Sequence, residues 1–259
     1  MTKHEDVPGA VPAGVTFETR DVALEVAPSP LAAHLVRAPG DGPRPGVVVI
    51  HEAWGPVEQT RDVAHRFAHL GYDALVPDLY SRGETPIMGD MQDVFAKMLA
   101  LEDAQLAADL GACIDHLRGL PGATGKVGMI GFCAGGRQTL LSACSATPPD
   151  AAIDCWGGFV DRASPDAVTT PQRPVPIIDR LGDLGCPLLA VGGAEDTNPA
   201  PEVVREIGRR GETLGKDVTV QIYESAGHAF FADHRPTYVP AAAHALWPEI
   251  VGFFATHLH

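Results

Sequence analysis

The feature that most constrains this 259-residue chain is Gly131-Phe132-Cys133-Ala134-Gly135-Gly136, which joins an apolar run, Lys126 to Phe132, to an Ala/Leu-rich stretch of helical composition. A chain passes from a buried strand straight into a helix only by turning sharply, and that turn lifts one side chain above the sheet edge. Here the lifted residue is Cys133, and small residues on either side leave it room. A helix beginning at Ala134 aims backbone N–H groups and its positive dipole end at the sulfur, which stabilises negative charge there. The Ala134 N–H is also placed to donate to a developing oxyanion. The competing reading is a glycine-rich turn with an inert core cysteine, because free Cys is commonly buried.

The rest of the chain has to supply a sheet for that turn. Gly46-Val-Val-Val-Ile50 is a short β-branched run suited to a strand buried on both faces. Helical composition follows over 58–70, ending at Gly71, and Tyr72 to Pro77 reads as the next strand. One helix or two occupy 92–119, and another 134–146. Ala151 to Trp156 and Pro187 to Val191 read as strands, then helix 201–215, strand Val218 to Glu224 and a helix over about 241–257. This alternation implies an α/β chain with a mostly parallel sheet and helices on both faces. Upstream, a loose extension over 1–20 is expected to lead into hairpin strands at one sheet edge, with a single domain spanning 21–259.

Composition narrows the function classes. A net charge of −14 argues against a nucleic-acid partner, which needs clustered Lys and Arg. The polar start and the lack of a long apolar run point to a cytoplasmic protein with no membrane association. Five cysteines without a C-x-x-C pair argue against a disulfide framework or structural zinc. Cys113, Cys144, Cys155 and Cys186 read as core or structural. His65 and His69 lack the glutamate of a zinc-hydrolase motif, so no metal is expected, and Gly192-Gly193 has no dinucleotide-binding spacing.

Three further segments belong with Cys133. His51-Glu52-Ala53-Trp54-Gly55 follows the first central strand, where a loop can supply a second oxyanion-binding amide. Val191-Gly192-Gly193-Ala194-Glu195-Asp196 places Asp196 at a strand end, ready to orient an imidazole, with Glu195 as its competitor. Ser225-Ala226-Gly227-His228 places His228 after the last strand, where a base for Cys133 belongs. The order nucleophile, acid, histidine is the one used by the α/β-hydrolase fold.

These stretches, together with Pro77-Asp78-Leu79-Tyr80, Gly193-Ala-Glu-Asp196 and Ala226-Gly-His-Ala-Phe-Phe, resemble the dienelactone hydrolase family from about residue 45 to the C-terminus. The resemblance implies a Cys133–His228–Asp196 triad, oxyanion-hole amides at Ala53 and Ala134, and Glu52 holding and activating the thiol. It also implies substrate contacts from Arg82. Family members that cleave dienelactone use a second arginine, four residues beyond the histidine, where this chain has Ala232 followed by Asp233. Arg235 replaces it only if the loop bends inward. Trp54, Phe230 and Phe231 suggest an apolar pocket.

The expected activity is hydrolysis of a small-molecule ester or lactone through an acyl-cysteine, with no cofactor and no obligate protein partner. Acyl transfer or lactone and ring formation on the same fold is the alternative, and a non-catalytic binding protein the third reading. Turn-rich segments 82–92 and 161–182 are expected at the pocket mouth.

Overall fold

Short β-branched runs flanked by helices bury both faces of a sheet, and here they assemble into one eight-stranded sheet of order β1-β2-β4-β3-β5-β6-β7-β8. The computed structural model describes residues 7–40, 42–161 and 169–259. The strands are β1 (Glu18–Leu24), β2 (Leu31–Arg37), β3 (Arg44–Ile50), β4 (Asp73–Pro77), β5 (Ala123–Phe132), β6 (Ala151–Cys155), β7 (Leu188–Gly193) and β8 (Val218–Tyr223). The helices are α1 (Glu58–His69), α2 (Met91–Ala100), α3 (Asp103–Arg118), α4 (Ala134–Ala143), α5 (Pro201–Thr213) and α6 (Pro240–Leu258). β1 and β2 form the antiparallel edge, and β4-β3-β5-β6-β7-β8 run parallel. The expected α/β-hydrolase architecture is the one observed.

Alternation along β3 explains why the sheet is covered twice. Val48 and Ile50 face the cluster of Leu110, Ile114 and Leu117 from α3 and Leu140 from α4. Val47 and Val49 face the other way, into Val63 and Phe67 of α1 and Leu246, Ile250 and Phe254 of α6. Each fully buried aliphatic or aromatic side chain contributes roughly 1.5–3 kcal/mol of transfer free energy, so the central strands anchor the scaffold from both sides.

The stretch 92–119 resolves into two helices. Asp90 caps α2 by accepting from the Gln92 and Asp93 N–H groups, and Leu101 then turns extended (ψ 126°). The Asp103 N–H donates to Gln172 O at 2.8 Å, so the start of α3 is tied to a distant loop.

Part of the extension expected over 1–20 packs on the domain. Val7 is buried, Pro8 O accepts from Arg66 Nη1 at 2.9 Å, and Gly9 (φ 73°) lies so close to the Trp247 ring that a Cβ would sit 2.4 Å from it. Within the segment 161–182, residues 162–168 lie outside the described residues. No helix among the described residues is long and apolar enough to cross a membrane.

Candidate active site

The turn between β5 and α4 holds Cys133 at φ 56°, ψ −115°, in the left-handed half of backbone space. For a non-glycine residue this costs about 1–3 kcal/mol and persists only where its surroundings enforce it. Two bonds do so. The Cys133 N–H donates to Cys155 O at 3.0 Å, and the Arg137 N–H donates to Cys133 O at 3.3 Å. The flanking glycines are sterically required. A Cβ on Gly131 would lie 2.0 Å from Gly135 O, and one on Gly135 would lie 2.6 Å from Ile50 O. Local sequence thus dictates the turn that presents the sulfur.

Cys133 is the half-buried thiol, whereas Cys113, Cys144, Cys155 and Cys186 are buried. Burial pushes the Cys144 and Cys186 thiols up to about 12, which leaves them protonated and inert. Burial likewise raises Cys113 and Cys155.

His228 and Asp196 arrive from two other strand ends. His228 Nδ1 lies 2.8 Å from Asp196 Oδ2, and the other carboxylate oxygen accepts from the Asn198 N–H at 2.9 Å. The Asp196 side chain is only 1% exposed, whereas the neighbouring Glu195 is solvent-exposed. Burial opposes a charge on His228, but hydrogen bonds to Asp196 and Cys133, with their negative charge, raise its pKa to about 10. Cys133, His228 and Asp196 all line one cavity of about 310 Å³.

The loop after β3 brings Ala53 to the same cavity. Its conformation is fixed by residues that sequence reasoning had not singled out for this purpose. The Leu79 N–H donates to His51 Nε2 at 3.2 Å, so His51 Nδ1 carries the proton and donates to Glu52 O at 2.6 Å. Burial lowers the His51 pKa and keeps the ring neutral for this clamp. The Tyr80 hydroxyl donates to Ala53 O at 3.0 Å. Ala134 opens α4, where helix geometry leaves N–H groups without an intrahelical acceptor, and it also lines the cavity.

Glu52 is 3% exposed and pairs with Arg235; among the described residues it makes no hydrogen bond to Cys133. Arg235 reaches the cavity because consecutive turns curl the chain beyond His228. The Ala232 N–H donates to Ala229 O, the Arg235 N–H to Ala232 O and the Tyr238 N–H to Arg235 O. The Arg235 guanidinium sits 5.9 Å from the Trp54 ring centroid, and Trp54 lines the cavity as expected.

Two expected substrate contacts are corrected. Arg82 is turned away from this cavity and held by Asp109 at 2.6 and 2.9 Å and by Ser29 O at 2.8 Å. A bidentate carboxylate saturates its planar fork. Phe230 is fully buried, its ring 4.7 Å from Trp156 and 5.2 Å from Tyr223, so it is core rather than lining. The apolar wall comes instead from Met91, Val94, Phe95, Met98 and Phe159, with Arg137, Gln138, Arg173 and Asn198 as further polar lining. No motif marks these residues. Among the described residues, no cluster of three or more His, Cys, Asp or Glu side chains is placed to hold a metal ion.

The dienelactone hydrolase family model matches residues 31–258. A relative in Methylorubrum extorquens, provisionally named carboxymethylenebutenolidase, is 33% identical over 216 residues, covering 82% of this chain and 72% of its own. Its namesake in Escherichia coli K12 is 32% identical over 220 residues, covering 83% and 78%. A Klebsiella pneumoniae crystal structure, provisionally a dienelactone hydrolase, superposes with a TM-score of 0.84 at 28% identity, covering 93% of this chain and 99% of that one. The chain belongs to the dienelactone hydrolase family, as a hydrolase of the α/β-hydrolase fold.

Proposed function

We propose that this protein hydrolyses a small-molecule ester or lactone through an acyl-cysteine intermediate. The reading rests on one observation: the half-buried thiol stands on a strained turn, in a cavity it shares with a hydrogen-bonded His228–Asp196 pair.

The electrostatics suit a two-step reaction. While the sulfur carries negative charge, His228 keeps its proton, because Cys133 and Asp196 together raise its pKa to about 10 against the cost of burial. Sulfur attacks the substrate carbonyl, and the Ala53 and Ala134 amides receive the oxyanion. The imidazolium gives its proton to the departing alkoxide as the carbon–oxygen bond breaks. Sulfur is now a neutral thioester, so its contribution to the His228 pKa disappears and the imidazole can act as a base. It takes a proton from water, hydroxide adds to the thioester, and the acid leaves as the sulfur–carbon bond breaks. In a lactone the alkoxide and acyl group belong to one molecule, so ring opening and thioester formation coincide.

Glu52 is assigned a guarding role toward the thiol, limiting its oxidation before substrate arrives. The free thiols fit a reducing cytoplasm, and neither cofactor nor protein partner enters the scheme.

The test is intact-protein mass spectrometry after exposure to p-nitrophenyl acetate, read beside nitrophenol release and Cys133→Ala. Acetylation at Cys133 with continuing turnover is expected. Acetylation without turnover would shift the assignment to acyl transfer. Turnover retained by Cys133→Ala would overturn the nucleophile assignment.

A further inference from the structure

A second buried carboxyl group, Asp154, sits beside the elbow and takes no direct part in the chemistry at Cys133. It occupies the end of β6, is 3% exposed, and has Gly131 and Ala190 at its sides in the sheet. Its Oδ1 accepts from the Gly157 N–H at 2.8 Å, closing a turn in which Trp156 takes φ 46°. A bulky residue stays in that region of backbone space only where its surroundings enforce it.

This turn is interlocked with the start of α4. A Cβ on Gly136 would lie 2.4 Å from Asp154 Oδ1 and 2.7 Å from Cys155 O, and one on Gly157 would lie 2.4 Å from the Arg137 backbone nitrogen. Between these contacts, Cys155 O accepts the Cys133 N–H at 3.0 Å. The turn that Asp154 closes therefore carries the carbonyl that pins the nucleophile.

A charge on Asp154 has no counter-ion. Arg137 is the one ionisable side chain on α4, and Asp103 clasps it through two bonds of 2.7 and 3.0 Å. α6 packs on the opposite face of β6, against Ile153 and Cys155. The remaining titratable neighbours are Cys133, at the head of α4, and Cys155, on the same strand. Burial pushes the Asp154 carboxyl up to about 7, against the opposing bond from Gly157. An anion there would compete with the Cys133 sulfur for the same helix N-terminus.

We propose that Asp154 is a positioning residue of the elbow: its uncharged carboxyl braces the β6 turn that pins Cys133, and its ionisation opposes negative charge on the sulfur. This rests on the hydrolase reading only for the role of Cys133.

The rate of Cys133 alkylation by iodoacetamide, followed by intact-protein mass spectrometry, reads the sulfur directly and needs no ester turnover. Asp154→Asn keeps an acceptor for the Gly157 N–H but cannot ionise. Its rate divided by the wild-type rate should be close to one at about pH 6 and rise to roughly threefold or more by about pH 8.5, as the wild-type carboxyl loses its proton. Asp154→Ala lacks the acceptor and should react roughly tenfold more slowly than both at about pH 6. A ratio for Asp154→Asn that starts well below one, stays flat or falls with pH would overturn the assignment. So would a folded Asp154→Ala that reacts like wild type at the lower pH. Where Asp154→Ala does not fold, the asparagine ratio decides alone. Wild-type turnover of p-nitrophenyl acetate is measured separately. Its absence beside a rising ratio would sink the hydrolase reading and leave the role of Asp154 standing.

Discussion

His228 Nδ1 lies 2.8 Å from Asp196 Oδ2, and this contact fastens the loop after β8 to the loop after β7 directly beside the Cys133 sulfur. The buried carboxylate fixes the ring orientation and tautomer, leaving Nε2 for the thiol.

Replacing Asp196 by Asn keeps the shape but removes the charge, and turnover should fall by about 10²–10⁴-fold. A stability signature accompanies it. The folded pKa of His228, about 10, lies above the ordinary value of 6.5, so its stabilising contribution is complete below pH 6.5 and is lost as pH rises toward 10. The difference in Tm between wild type and His228→Gln should therefore shrink across that window. A difference that grows with pH would contradict the proposed ion pairing.

Glu52→Ala tests the guarding role directly. Loss of the buried carboxylate frees Arg235 inside the cavity. Oxidation of Cys133 by hydrogen peroxide should speed up by roughly tenfold, an effect of order 1.4 kcal/mol. Unchanged oxidation kinetics would remove Glu52 from that role.

At the elbow, Gly135→Ala would drive a methyl group to 2.6 Å from Ile50 O and 2.7 Å from His51 O. Both contacts are backbone atoms of the central strand and its loop, which have little freedom to withdraw. A loss of about 3 kcal/mol or more is expected, measured by denaturant titration, well above the cost of an ordinary overpacked core position.

The buried Arg137–Asp103 pair, with both side chains about 5% exposed or less, should show the asymmetry of enclosed charges. Asp103→Ala strands the guanidinium and should cost about 3–5 kcal/mol. A joint Asp103→Ala, Arg137→Met variant should recover a substantial part of that loss in a double-mutant cycle. Strict additivity would mean that the two charges do not stabilise each other.

The elbow, the sheet and the approximate position of every strand from β3 to β8 were legible in the sequence, because glycine spacing and β-branched runs act over a few residues. Asp196 rather than Glu195 could not be chosen that way. Adjacent carboxylates are chemically alike, and only burial against Asn198 and His228 separates them. The same limit misassigned Arg82, whose family-like position is overridden by Asp109, 27 residues away. Phe230 looked like lining for a similar reason, since an aromatic residue after a strand carries no mark of which side it faces.

By itself, the sequence determined that a thiol stands between a strand and a helix with a histidine and an acid downstream, since local sterics and chain order are written one residue at a time. Tertiary structure alone decided which charges are spent on one another. Asp103 and Arg137 are 34 residues apart, and Arg173 and Met98 are 75 apart. Pairing over such separations forms only when distant segments of the chain are brought together by folding.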